Sequence, residues 1–206
     1  GSIAIAPSQP ETIYIGTGEP NFSSDSYFGV GIYRIDNAST TANMSGPFNK
    51  DAGAADVFTG RSVSKIIVHP TDPATLFVAT TSGVGGIVSA AIVAGNRGVY
   101  RSTNATSANP TFTQIGVLPS PNNNFSVRDI VIDPLDPNIM IANLVANGGG
   151  IYRSTNALAA TPTFTNVLTF TGTTTSDLTA EFAIHHTAGP NATVYAGTGF
   201  GGGRVY

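Results

Sequence analysis

The sequence predicts an all-β fold, a β-propeller of about four four-stranded blades with the last blade incomplete. Three observations carry the prediction: a strand-turn-strand segment that recurs four times, a second signature that follows each copy, and a composition suited to strands and turns rather than helices. The first segment reads Ile3-Ala-Ile-Ala-Pro7 then Thr12-Ile-Tyr-Ile-Gly-Thr-Gly18. It returns as Ile66 to Pro70 with Thr75 to Thr80, as Ile130 to Pro134 with Asn138 to Asn143, and as Phe182 to His186 with Thr193 to Gly199. The second signature reads Gly31-Ile-Tyr-Arg34, Gly98-Val-Tyr-Arg-Ser-Thr-Asn104, Gly150-Ile-Tyr-Arg-Ser-Thr-Asn156 and Gly203-Arg-Val-Tyr206. Ser, Thr and Asn make up 59 of the 206 residues, and Gly and Pro add 37.

Each element follows from local chemistry. The first strand of a unit (Ile66 to His69, Ile130 to Asp133) is nearly all apolar, as a strand buried between neighbouring sheets must be, and Pro ends it in a turn. The second (Leu76 to Ala79) and third (Val99 to Ser102) are apolar or aromatic. The fourth (Thr111 to Leu118, Thr163 to Leu168) mostly alternates. Ser102-Thr-Asn104 and Ser154-Thr-Asn156 place hydroxyl and amide groups where they can bond their own backbone in a tight bend. The blades run over about 3–60, 64–118, 127–170 and 181–206 as a single propeller segment. Pro121 to Asn124 and Thr171 to Thr175 read as connections between blades, and the apolar insert Gly86 to Gly95 reads as an interface or a buried extra hairpin. Only Gly1-Ser2 precedes the first strand, and blade four shows no fourth strand, so its outer strand is expected from further blades or from a second chain, with a four-blade ring that closes imperfectly as the less favoured alternative.

The two Gly-(Val/Ile)-Tyr-Arg-Ser-Thr-Asn stretches, 98 to 104 and 150 to 156, resemble the Asp-box or BNR repeat of sialidase, sortilin and xyloglucanase-like propellers. Ile13 to Tyr33 resembles a first-blade pattern of large secreted bacterial BNR-repeat proteins. The repeat core in those families is Ser-x-Asp-x-Gly-x-x-Trp; here Asn104 and Asn156 replace the Asp, the Gly is lost, and Phe112 or Phe164 stands where Trp packs. The resemblance implies a propeller that is secreted or at the cell surface. Its Asp box is a structural turn remote from chemistry.

Composition excludes several function classes. Nine Lys+Arg against 12 Asp+Glu give a net charge of −3, without a basic cluster, and no nucleic-acid footprint results. No apolar run approaches the ~20 residues of a membrane-spanning helix. With no cysteine there is no disulfide, thiolate nucleophile or Cys-ligated metal. No targeting segment is visible, and no cofactor or metal is expected, Ca²⁺ being the one cation the loop carboxylates could suit.

Three groups of residues stand out as candidate ligand-binding positions. Glu19, Asp25 and Tyr27 lie between the second and third strands of blade one, where carboxylates beside an aromatic ring would suit sugar hydroxyls or Ca²⁺; Glu19 and Asp25 are also the candidates for an acid/base pair, against the plainer reading, which the sequence favours, of a solvated loop with Asp25 forming its turn. His69, Asp133 and His185, with His186 adjacent, end successive first strands and could converge on the channel, or simply satisfy backbone groups there. Arg34, Arg101 and Arg153 recur at one position per blade, which points to structural residues each bonding within its own blade rather than to a carboxylate-binding cluster. Sequons at Asn21, Asn37, Asn43, Asn104, Asn124 and Asn191 matter only in a glycosylating host, and Gly199 to Gly203 is not followed by a helix that would make it a phosphate loop. The function these residues suggest is a secreted binding or assembly module for a glycan or protein ligand, with a BNR-type glycoside hydrolase and a structural repeat of a surface layer or filament as alternatives.

Overall fold

The computed structural model describes residues 1–206 except 24, 84–94, 117–123, 146–148, 172–177, 187–188, 190, 200–202 and 206. Fifteen strands form four antiparallel sheets among the described residues. Blade one holds β1 (Ser2–Ala6), β2 (Gln9–Gly16), β3 (Ile32–Asp36) and β4 (Asn43–Phe48). Blade two holds β5 (Arg61–Val68), β6 (Leu76–Ser82), β7 (Gly98–Ser102) and β8 (Thr113–Ile115). Blade three holds β9 (Ser126–Ile132), β10 (Met140–Val145), β11 (Gly150–Ser154) and β12 (Thr165–Thr169). Blade four holds β13 (Ala180–His186), β14 (Ala192–Thr198) and the two-residue β15 (Arg204–Val205). Every sheet is a simple meander, each strand pairing with its neighbours in sequence. The first strands lie side by side, β1 against β5, β5 against β9 and β9 against β13, which is the inner wall of a propeller.

Because side chains alternate along a strand, each blade has one face toward the next blade and one toward the preceding blade. Ala6, Tyr14 and Ile32 of blade one pack on Val63, Ile66, Val68 and Tyr100 of blade two. Phe77, Ala79 and Val99 on the other face of blade two pack on Ile130, Met140 and Tyr152 of blade three. Val131, Ile141 and Ile151 then meet Ala180, Phe182 and Ile184 of blade four. The core is therefore three inter-blade layers, and the signature Tyr and its preceding Val or Ile point to opposite neighbours. The signature glycine opens the third strand with a positive φ, +128° at Gly31, +145° at Gly98 and +142° at Gly150. A Cβ at Gly150 would also strike the Leu168 carbonyl, so conformation and space both require glycine.

The turn after the third strand is built alike in blades two and three. Asn104 Oδ1 accepts the Thr111 N–H (2.9 Å) and the Ser102 hydroxyl (3.0 Å), while Asn156 Oδ1 accepts the Thr163 N–H (2.8 Å) and the Ser154 hydroxyl (3.1 Å). An amide oxygen does this accepting as well as a carboxylate would, which explains why asparagine serves at both positions.

The arginines depart from the sequence expectation. Arg34 Nη1 donates to Ala105 O (2.7 Å) and Ser107 O (2.8 Å) in blade two, and Arg101 Nη1 donates to Ala157 O (3.0 Å) and Ala159 O (2.8 Å) in blade three. They clamp the following blade rather than their own, because the strand parity that buries Ile32 and Val99 toward the next blade carries Arg34 and Arg101 the same way. Only the Arg34 Nε bond to Asp36 (2.9 Å) stays within a blade. Arg153, the third of the series, is exposed.

The fourth strand of blade two is shorter than the sequence suggests, three residues at Thr113–Ile115, because the residues before it pair with Lys50 rather than with β7, Phe112 donating its N–H to Lys50 O (2.9 Å). The apolar insert at 86–95 lies outside the described residues except for Gly95, as do most of the connections at 121–124 and 171–175 and residues 200–202 of the glycine stretch. No helix is long and apolar enough to cross a membrane among the described residues.

Candidate functional site

The first strands all run the same way, so their starts share one end of the propeller and their ends the other. This separates the candidate residues that the sequence grouped. Glu19, Asp25 and Tyr27, in the β2–β3 connection, lie at the end where the first strands start. His69, Asp133, His185 and His186 lie at the opposite end, and the two sets cannot form one site.

At the starting end a cavity of about 300 Å³ opens where blades one to four meet, lined by Pro20, Ser64, Lys65, Arg128, Asp129 and Glu181 among others. Lys65, Asp129 and Glu181 occupy the same repeat position, the residue just before Ile66, Ile130 and Phe182, which is why strands far apart in sequence deliver their charges to one place. Lys65 Nζ pairs with Asp129 Oδ1 at 3.1 Å, and Arg128 donates from Nη2 to Glu181 (2.6 Å) and from Nη1 to Pro20 O (2.8 Å). Buried Asp129 also accepts the Phe182 N–H on Oδ2 (2.7 Å) and the Ile130 N–H on Oδ1 (2.9 Å). Its acceptor sites are thus committed to holding blades two, three and four together. Glu181 is different: two-thirds of its side chain is exposed (67%), so it can face a ligand. A charged residue just before the apolar run of the first strand in blades two, three and four, where blade one has Ser2, is the sequence signal that could have found this cavity.

The β2–β3 connection reaches the cavity through Pro20. Glu19 Oε2 accepts the Tyr27 N–H (2.9 Å), and the Glu19 N–H is donated back to Tyr27 O (2.9 Å). Asp25 accepts the Ser23 hydroxyl, and buried Ser26 bonds Asn21. Glu19 and Asp25 therefore order their own loop, while the Tyr27 ring is exposed. Among the described residues no group of three or more His, Asp or Glu could hold a metal ion.

At the far end, His69 Nδ1 accepts the N–H groups of Thr71 (3.3 Å) and Asp72 (3.1 Å), and Asp133 Oδ1 accepts those of Leu135 (2.9 Å) and Asp136 (3.4 Å). The two residues do the same work, capping the turn that follows the first strand. In blade four the sequence favours His185, yet His185 is exposed and its neighbour His186 meets Asp133, with Nδ1 at 2.6 Å and 2.7 Å from the two carboxylate oxygens. His186 Nε2 lies 2.9 Å from Gly189 O. Bonds to the Gly189 carbonyl and to Asp133 raise the His186 pKa above 6.5. Burial pushes Asp133 up, but the N–H of Leu135, His186 and the N–H of Asp136 together bring it below 3.8.

The pH dependence follows from these directions. The raised histidine contributes stability in full below its unfolded pKa near 6.5 and loses it as pH rises through the folded value. The lowered aspartate contributes above 3.8 and loses it as pH falls through its folded value. The stability difference between the protein and His186→Gln is therefore expected to be largest between those two pKa values and to shrink above neutrality, measured by urea denaturation at a series of pH values. His185→Gln serves as the exposed control, and a His186→Gln difference that stays flat from about pH 5 to about pH 8.5 rules the ion pair out.

No family model and no curated protein matches the chain. Among solved structures, the GH74 xyloglucanase of Xanthomonas campestris is similar at 14% identity with a TM-score of 0.37, over 97% of this chain and 36% of that one. The chain thus spans about a third of the length of that protein.

Proposed function

We propose that the chain is a secreted Asp-box-type propeller module that binds a polar, hydroxyl-rich ligand of the glycan class at the cavity where its first strands start. The observation that supports this most is the convergence of Lys65, Arg128 and Glu181 from three successive first strands on one polar cavity of about 300 Å³. Sugar hydroxyls both donate and accept, so a rim with cationic donors beside an exposed carboxylate suits them better than a rim of one sign. Tyr27, exposed on the same end, adds an aromatic surface of the kind that sugar faces stack on. The Ser-Thr-Asn turns, with their Asn oxygens accepting across seven residues, support the Asp-box assignment.

Titration calorimetry with a panel of neutral and acidic plant and host oligosaccharides tests the reading. Arg128→Ala is expected to weaken binding at least ~10-fold, equivalent to about 1.4 kcal/mol, because it removes a charged donor and frees Glu181. Arg153→Ala, away from the cavity, is expected to leave affinity unchanged. Silence across the panel with correctly folded protein sinks the proposal, as does equal binding by Arg128→Ala.

A further inference from the structure

A second cavity, of about 440 Å³, lies where the connection from β4 to β5 crosses blade two, walled by Asp51 to Val57 on one side and by Asn96, Tyr100, Phe112 and Gln114 on the other. It belongs to the end where the first strands start, as the polar cavity does, but the two share no lining residue. The sequence explains why space is left there. Ala52-Gly-Ala-Ala55 carries no side chain larger than a methyl group, so the connection walls the cavity without filling it. Opposite, the Tyr100 and Phe112 rings, each in edge contact with Phe58, give it an apolar, aromatic floor.

The polar groups around this space are unevenly engaged. The connection turns its donors on itself: the N–H groups of Gly53 (2.8 Å) and Ala55 (2.8 Å) go to Asp51 Oδ1, that of Ala54 to Asp51 O (3.1 Å), that of Asp51 to Ala55 O (3.0 Å) and that of Val57 to Asn49 O (2.8 Å). On blade two, Asn96 Nδ2 donates to Gln114 Oε1 (3.3 Å), Gln114 Nε2 to Arg97 O (2.9 Å) and the Tyr100 hydroxyl to Asn96 O (2.5 Å). Acceptors are left over. Asp51 forms no ion pair, and its Oδ2 accepts no hydrogen bond, among the described residues. The neighbouring basic groups do not line the cavity and are held elsewhere: Arg61 Nε donates to Gly95 O (2.6 Å), Arg97 Nε to Asn124 Oδ1 (3.0 Å), and half-exposed Lys50 lies 3.8 Å from Asp56 Oδ2, beyond hydrogen-bond reach. From this surplus of acceptors over an aromatic floor we propose that the cavity binds a small organic cation, a primary ammonium on an apolar or aromatic body, with the ammonium on Asp51 and the body against the Tyr100 and Phe112 rings. An ammonium has three donors and no acceptor, so it needs nothing that the walls lack, and ring faces attract it further. The inference does not rest on the glycan reading, since it concerns a separate cavity.

Titration calorimetry with phenethylamine, with Nα-acetyl-lysinamide and with the uncharged isostere phenethyl alcohol tests the assignment. Phenethylamine is expected to bind at least ~10-fold more tightly than the alcohol, the difference being the charge-assisted bond to Asp51. Binding of phenethylamine alone assigns the site to free arylalkylamines, and binding of the lysine derivative assigns it to a lysine side chain. Asp51→Asn keeps an Oδ1 for the Gly53 and Ala55 N–H groups but removes the charge. It is expected to weaken amine binding at least ~10-fold and to leave the alcohol unaffected. Far-UV circular dichroism checks folding, and Ala55→Phe, which fills the cavity from an exposed position, replaces Asp51→Asn if that variant fails to fold and is expected to abolish amine binding. No binding of either amine at millimolar concentration overturns the proposal, as does equal affinity for phenethylamine and its alcohol, or a folded variant that binds the amine as the unaltered protein does.

Discussion

Phe58→Ala is expected to destabilise the protein by about 4 kcal/mol, within the range for deleting a fully buried aromatic ring. Phe58 sits in the connection from β4 to β5 rather than in a strand, yet it is completely buried between blades one and two. Its ring makes edge contacts with Tyr100 (centroids 5.1 Å apart) and Phe112 (4.8 Å). The turn aims it there: Asp56 Oδ1 accepts the N–H of Phe58 (3.2 Å) and of Thr59 (2.9 Å), and Arg61 donates its N–H to Phe58 O (2.9 Å). Truncation removes the transfer free energy of the ring, leaves a cavity between two sheets that cannot collapse together, and discards two aromatic pairs. For a domain of this size that loss lowers the melting temperature by about 10 °C. Phe58→Leu, which keeps most of the apolar volume, should lose less than about 2 kcal/mol. Calorimetry and urea denaturation measure both, and a loss below about 1.5 kcal/mol for the alanine variant would show that the ring does not anchor the layer.

Phe58 also marks where sequence reading stops. The repeats were legible because a blade is a local meander: every strand pairs with its sequence neighbour, so periodicity-two patterns bounded by Pro, Gly and Asn carry nearly all the topology. The inward aromatic of a connecting loop has no such pattern. Strand parity is legible in principle: the same alternation that sends Ile32 to the next blade sends Arg34 there, which corrects the expectation of bonds within one blade. Parity also decides between His185 and His186, since only the residue on the side of blade three can meet Asp133. The cavity was harder. Lys65, Asp129 and Glu181 are an aligned column in the repeats, but Pro20 joins it across more than a hundred residues of chain, through its bond from Arg128, by tertiary placement alone. Buried Asn143 carries no local signal inside an apolar strand; it donates to Gly150 O (3.2 Å) and Leu178 O (3.1 Å) and accepts the Ala180 N–H (2.9 Å), tying blade three to blade four.

The arginine column offers a graded experiment on how the blades hold together. Arg34→Ala is expected to cost about 3 kcal/mol, since a charge-assisted bond contributes roughly 1.5–3 kcal/mol and an abandoned buried acceptor adds its desolvation. The Arg34 side chain is 10% exposed, binds Asp36 through Nε and two blade-two carbonyls through Nη1, and lies 5.6 Å from the centre of the Phe48 ring. Its removal leaves Ala105 O buried without that donor and Asp36 without its cation. Arg34→Lys keeps the charge, but a single ammonium cannot reproduce the planar fork that reaches Asp36 and the carbonyls together, so it recovers only part of the loss. Arg101→Ala removes the equivalent pair of bonds to Ala157 O and Ala159 O from a more open site, without an internal ion pair, and should cost less than Arg34→Ala. Exposed Arg153→Ala should fall within about 0.5 kcal/mol of the unaltered protein. The order Arg34, Arg101, Arg153 in urea denaturation is what clamping of the following blade requires. Equal losses at all three positions would return the arginines to a role inside their own blades.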